Sequence, residues 1–169
     1  DDPALLTTPF VLLTVNNTFE YTSAEAVNLG RYLTSGGFLY AEVVRPPVNV
    51  SHGHQFDIPA LRGLIRAALA AHGCQEGRDW AFERLPRSHA LYHSYYDIGS
   101  LPMGFWDGTY IYSSHSTAWS SPDFLEGIRV GAEWVGVYSQ RNYADFWAGE
   151  DERRRDAQGA GNSAARAPG

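Results

Sequence analysis

Phe10-Val11-Leu12-Leu13-Thr14-Val15, Thr22-Ser23-Ala24-Glu25 and Gly36-Gly37-Phe38-Leu39-Tyr40-Ala41-Glu42-Val43-Val44 decide the fold between them. The first is a short apolar run, partly β-branched, of the length of a strand buried on both faces. Asn16-Asn17-Thr18 supplies turn chemistry after it. Thr22 to Glu25 opens a helix, with Ser23 as the expected N-cap and Glu25 placed at the positive helix end. Val27, Leu29, Tyr32 and Leu33 give that helix its apolar positions, and Gly36-Gly37 ends it. Phe38 to Val44 is then a second buried strand. A strand, a short helix and a strand make a parallel βαβ unit, with Leu12, Leu39 and Ala41 in its core.

Working outward, Arg45 to Asp57 is a loop containing Pro46-Pro47 and His52-Gly53-His54. Pro59 suits the first turn of a helix reaching about His72, with Leu61, Leu64, Ile65, Ala68 and Leu69 on one face and Gly73 as its stop. Trp80 to Leu85 and Leu91 to Tyr96 read as extended segments around Pro86. Gly99 to Gly108 reads as a loop, Thr109 to Ser114 as a strand after Asp107-Gly108. Ser121-Pro122-Asp123 is expected to open a last helix carrying Phe124, Ile128, Ala132, Val135 and Val137. The expected fold class is α/β, a mainly parallel central sheet flanked by helices. Residues 1–147 form the domain and residues 148–169 a low-complexity charged tail.

Composition narrows the function. The formal net charge of −6 argues against a general nucleic-acid role. All 13 basic residues are Arg, so Schiff-base chemistry and a P-loop lysine are excluded. The single cysteine, Cys74, can close no internal disulfide and build no multi-thiolate zinc site. No stretch is long and apolar enough to span a membrane. A start at Asp1-Asp2-Pro3 is expected for a processing site or a fragment edge, as in a mature periplasmic chain.

The run from Pro9 to Leu13, through Ser23-Ala24-Glu25 and Asn28-Leu29-Gly30-Arg31-Tyr32-Leu33, to Gly36-Gly37-Phe38-Leu39-Tyr40-Ala41-Glu42 carries a resemblance. Ser88 to Asp97, with His89 and His93, and Gly127 to Glu133 add to it. Over residues 1 to 141 the chain resembles a bacterial domain-of-unknown-function family of the class I glutamine-amidotransferase-like superfamily, near the ThuA-like proteins. The resemblance implies a flavodoxin-like three-layer sandwich and places functional groups at the carboxyl ends of the parallel strands. It carries no activity with it. This chain departs from the pattern twice: the strand and helix that family members usually carry before the position of Asp1 are expected either to be missing from this sequence or to have been dropped by this protein, and the family's acidic pair is here Ala41-Glu42. The superfamily's amidotransferases use a cysteine on a strand-to-helix elbow; Cys74 instead follows a helix and reads as a half-buried thiol at its end.

Glu42, His93 and His115 all fall near expected strand ends. A carboxylate and two histidines can hold a divalent metal or do acid–base work, and they can equally form a hydrogen-bonded structural cluster. His89 and His93 share a face in an extended segment but lie about 13 Å apart, too far for one metal. The loop pair His52 and His54 reads as solvated surface. Phe105, Trp106, Tyr143, Phe146 and Trp147 fall outside core periodicity and can pack inward or anchor a partner. Arg153, Arg154 and Arg155 can fork onto carboxylates or lipid phosphates, although Asp151, Glu152 and Asp156 nearly cancel their charge. The tail from Ala148 contains no Val, Ile, Leu, Phe, Trp or Tyr, and is expected to lie across a partner subunit.

The sequence therefore favours a non-catalytic accessory subunit making protein–protein contacts in a larger assembly, extracytoplasmic and associated with a membrane or envelope complex, with no metal or cofactor. The alternatives are a metal-assisted hydrolase using Glu42, His93 and His115, and a small-ligand (carbohydrate) binding domain in the strand-end crevice.

Overall fold

The computed structural model describes residues 3–15, 19–44, 59–94, 96–102 and 124–144. After a 3₁₀ turn at Pro3–Thr7, the elements are β1 (Phe10–Val15), α1 (Ser23–Thr34), β2 (Phe38–Val43), α2 (Pro59–Ala70), β3 (Trp80–Arg84), a 3₁₀ turn at Ala90–Tyr92, β4 (Glu126–Val130) and β5 (Glu133–Ser139). They form one five-stranded open sheet in the order β1-β2-β5-β4-β3. β1, β2 and β5 run parallel, and β4 is antiparallel to both β5 and β3. The sheet is thus mostly, not purely, parallel, in a mixed α/β fold.

The βαβ unit forms as its sequence dictates. Phe10 pairs with Phe38 and Val15 with Val43 in an unbroken parallel register. The N-cap of α1 is Thr22, one residue earlier than expected. Its hydroxyl accepts from the Glu25 N–H while the Glu25 carboxylate accepts from the Thr22 N–H, a reciprocal box that the Thr-x-x-Glu spacing permits and a cap at Ser23 would not. Those bonds to Thr22 hold the exposed Glu25 carboxyl below its usual range. At the other end Gly36 adopts φ +93°, and the N–H groups of Gly37 and Gly36 return to the carbonyls of Tyr32 and Leu33. This Schellman closure uses the left-handed conformation that glycine adopts without strain. Tyr32 folds over the junction, its hydroxyl donating to the Phe38 carbonyl and accepting from the Phe38 N–H, both at 3.0 Å.

α1 and α2 pack on each other and cover one face of the sheet. α2 buries Leu61, Leu64, Ile65, Ala68 and Leu69, the i, i+3, i+4, i+7, i+8 stripe of an amphipathic helix. They meet Leu39, Ala41 and Val43 of β2 and Ile128 and Tyr138 of the hairpin. The helices approach closely at Gly30, where a Cβ would sit 2.0 Å from the Ala68 carbonyl oxygen. Beside them Arg62 of α2 stacks over Phe82 (4.6 Å) and Tyr138 (4.1 Å) and pairs with Glu126. The opposite face carries a second apolar cluster of Leu85, Tyr92, Leu125, Val137 and Tyr143, covered by the irregular segment after β3 and not by an α-helix among the described residues.

Several expectations are corrected. The segment read as a last helix is the hairpin β4–β5. Its apolar residues fall at helical spacing, but Gly131 at φ +59° sits first in a two-residue loop, the glycine position of a type II′ turn. Leu91 to Tyr96 is not extended: Ala90–Tyr92 forms a 3₁₀ turn capped by His89, whose Nδ1 accepts from the Leu91 N–H. Val27 faces solvent at 39% exposure. Leu39 and Ala41 are fully buried, but Leu12 is 56% exposed, because β1 is an edge strand with only one face under helices. The strand expected at Thr109–Ser114 and the tail from Ala148 lie outside the described residues.

Two substitutions separate these environments. Leu39→Ala is expected to cost about 2–5 kcal/mol in urea unfolding and Leu12→Ala about 0.5 kcal/mol or less. Gly30→Ala should cost about 1–3 kcal/mol, since the helices must separate to admit the methyl.

Candidate functional site

β1, β2, β3 and β5 all point the same way, so the chain leaves each of them at one edge of the sheet and enters β4 there. That carboxyl edge is where open α/β sheets build their crevices. Glu42, next to last in β2, lies at it.

Glu42 is 1% exposed. Alternation along β2 turns it away from the helices, onto the same face as Phe38 and Tyr40. Its Oε1 accepts from the Ser139 hydroxyl (2.9 Å), the Tyr143 N–H (2.9 Å) and the Tyr40 hydroxyl (3.2 Å), and its Oε2 accepts from the Ala144 N–H (2.9 Å). Ser139 ends β5 opposite Glu42 in the parallel register. Its hydroxyl oxygen also accepts from the Arg141 N–H at 3.2 Å. Asn142, fully buried, turns the chain at φ +54°, a left-handed conformation that asparagine tolerates better than most residues. Residues 143–144 then take helical backbone, and their N–H groups, which have no helical acceptor behind them, point at the carboxylate. Burial first, and then the neighbouring Glu42 charge, push the Tyr40 phenol well above its ordinary range, so Tyr40 stays a donor.

The arrangement is a clamp. A buried carboxylate needs several donors to offset its lost hydration, and here four donors from three parts of the chain converge. Oε1 is filled by three of them, and the group has almost no contact with solvent. The same corner is tied to the segment after β3 by the Pro102 carbonyl, which accepts from Arg141 Nη2 (2.9 Å) and from the Tyr143 hydroxyl (3.0 Å).

Sequence reasoning placed His93 with Glu42. The structure seats it at the C-cap of the 3₁₀ turn, away from any strand end, and gives it other partners. Its Nδ1 meets Asp97 Oδ1 at 2.5 Å and its Nε2 meets the Arg87 carbonyl at 2.6 Å. The two residues therefore share no hydrogen bond and no common donor or acceptor. His115 lies outside the described residues. Among those described, no group of three His, Cys, Asp or Glu side chains is placed to hold a metal. Cys74 is half-buried after α2, its thiol 3.9 Å from the His72 carbonyl. Of the candidate partner anchors, Tyr143 is corrected: at 5% exposure, packed with Leu85, Tyr92, Leu125 and Val137, it is a core residue. Phe105, Trp106, Phe146, Trp147, Arg153, Arg154 and Arg155 lie outside the described residues, as do His52 and His54. The residues that sequence reasoning missed are Tyr40 as a partner of Glu42, Ser139, Arg141 and Asn142; three of the clamp's four donors stand about a hundred positions from Glu42, and two of the four are backbone.

Glu42→Gln should destabilise the domain by about 1–3 kcal/mol, because an amide NH₂ then confronts donors that the carboxylate had satisfied. Chemical denaturation monitored by tryptophan fluorescence measures it. Ser139→Ala, which leaves the carboxylate its other donors, should cost less.

No helix among the described residues is long and apolar enough to cross a membrane. Comparison with curated proteins and with solved structures returns no match. A family model described as a domain of unknown function, DUF4159, matches residues 1–167, so the chain belongs to the DUF4159 family.

Proposed function

We propose that this domain is a non-catalytic accessory subunit that takes an extended segment of another polypeptide along β1. The observation that carries the reading is the contrast between the two edges of the sheet. The β3 edge carries Glu83 and Arg84, with Glu83 paired to Arg129, charges of the kind that discourage strand addition. The β1 edge has six residues with no charge and no proline. Phe10 and Leu12, on the face turned from the helices, are 52% and 56% exposed, and Phe10 stacks on Phe38 with centroids 6.2 Å apart. An incoming strand would satisfy the outer backbone groups of β1 and cover those side chains, which is how strand addition gains both affinity and selectivity.

Glu42 supports the same reading from the other side. A metal-assisted hydrolase would need this carboxylate as ligand or base, and it is enclosed by four donors. The glutamine-amidotransferase-like class of the fold is part of the proposal; its supports are the β1-α1-β2 unit and the functional-looking carboxylate at a strand end. So is an extracytoplasmic assembly as the setting.

The test is a photoreactive phenylalanine analogue in place of Phe10, irradiated in the native host. A crosslink to a second polypeptide is expected, and Leu12→Arg should abolish it without changing the melting temperature. Crosslinks confined to the chain itself, or none, would overturn the reading.

A further inference from the structure

The segment between β3 and β4 covers the helix-free face of the sheet through Tyr92, which is 1% exposed. Tyr92 is held by its hydroxyl, which accepts from the Leu125 N–H at 3.4 Å, and by its carbonyl, which accepts from the Ile98 N–H at 2.8 Å. Besides this core contact, a side chain ties two parts of the segment together. The His93 ring spans from the Arg87 carbonyl to the Asp97 carboxylate. Both of those partners are acceptors only, since a carbonyl and an ionised carboxylate carry no proton.

We propose that His93 is a proton-operated latch that ties the Arg87 carbonyl to the Asp97 carboxylate across the Tyr92 turn when the imidazole is doubly protonated and releases them when one proton leaves. A neutral imidazole has one N–H and one lone pair, so in either tautomer it sets a lone pair against one of the two oxygens. Only the imidazolium donates to both. The Arg87 carbonyl first, and then Asp97, raise the proton affinity of His93 above the ordinary 6.5. Because the folded value is the higher one, the latch contributes its full stabilisation below the unfolded value and loses it as pH rises through the folded value. The charged and titratable groups around it have contacts of their own. The Arg87 guanidinium lies over the Tyr92 ring at 5.6 Å, and the His89 ring stands edge-on to Trp134 of β5 at 5.3 Å. Arg84 at the end of β3 stacks on Phe124, and Arg141 beyond β5 holds Pro102. Release would therefore loosen the chain that carries Tyr92, and so couple pH to the cover of the helix-free face. Histidine is the residue that titrates in this range.

The test uses the whole chain. The His93 ring resonances are followed by NMR from pH 5 to 9, together with hydrogen exchange at the Ile98 and Leu125 amides, corrected for intrinsic rates. His93 is expected to titrate above 6.5, with protection at both amides falling through the same midpoint. Asp97→Asn, at a side chain 89% exposed, leaves the core untouched and should move that midpoint down. His93→Gln should remove the pH dependence. A His93 midpoint at or below 6.5, or a loss of protection that persists unchanged in His93→Gln, would overturn the latch.

Discussion

A single carboxylate almost fully withdrawn from the solvent-accessible surface sets the terms for one end of this molecule. Glu42 is placed by strand alternation on the face away from the helices, at the point where β2 and β5 finish together. Charge in that position is tolerable only if donors surround it, and the chain supplies them by turning sharply after β5. The left-handed Asn142 directs the next two N–H groups back at the carboxylate, and Ser139 and Tyr40 close the remaining sides. Tyr143 is thereby fixed with its ring in the second apolar cluster and its hydroxyl on Pro102. The path of the chain after β3 thus depends on a group that the sequence places in β2.

Local signals were read well where the structure is local. The βαβ unit was legible because each of its parts has its own chemistry: an apolar run, a Thr-x-x-Glu box, a glycine pair and another apolar run. The stripe of α2 was equally plain. The hairpin was not, because Phe124, Ile128, Ala132 and Val135 imitate a helical face when read alone. The contrary signal was in the glycines. Gly127 lies where a Cβ would meet the Trp134 ring at 2.2 Å, and Gly131 occupies the turn. Leu12 shows a different limit. An apolar strand sequence does not say how many neighbours the strand has, and β1 has only β2 among the described residues. At the site, Glu42 was legible as a strand-end carboxylate, but what it does was not, since three of its four partners are remote in sequence and two are backbone groups. His93 was separated from Glu42 for the same reason: a backbone carbonyl, invisible in any pattern of side chains, decides where its ring points.

The two faces of the sheet are built to different standards. The helix face is closed by regular apolar stripes and by the tight crossing at Gly30, so its cohesion is spread over many contacts. The other face is closed by an irregular segment whose contacts include Tyr92, Ile98, Leu101 and the bonds of His93. An irregular cover opens at lower free-energy cost than a packed helix pair, which is where local unfolding is expected to begin. A titratable ring among those contacts would make that cost depend on pH.

The same asymmetry bears on what the domain is for. Chemistry at the carboxyl edge would need a group with free lone pairs and access to solvent, and the best-placed carboxylate has been committed to holding the fold. Recognition needs only a surface whose exposure costs free energy. β1 provides one: among the described residues only β2 pairs with it, and the side chains of Phe10 and Leu12 are half exposed, while the opposite edge is guarded by charges. Exposing apolar side chains on an unguarded edge invites aggregation, a liability that proteins otherwise remove with a single lysine or proline. If β1 is the recognition edge proposed above, the contrast between the two edges is accounted for by a strand that pairs there, and a pH-dependent cover on the adjoining face would act on that recognition.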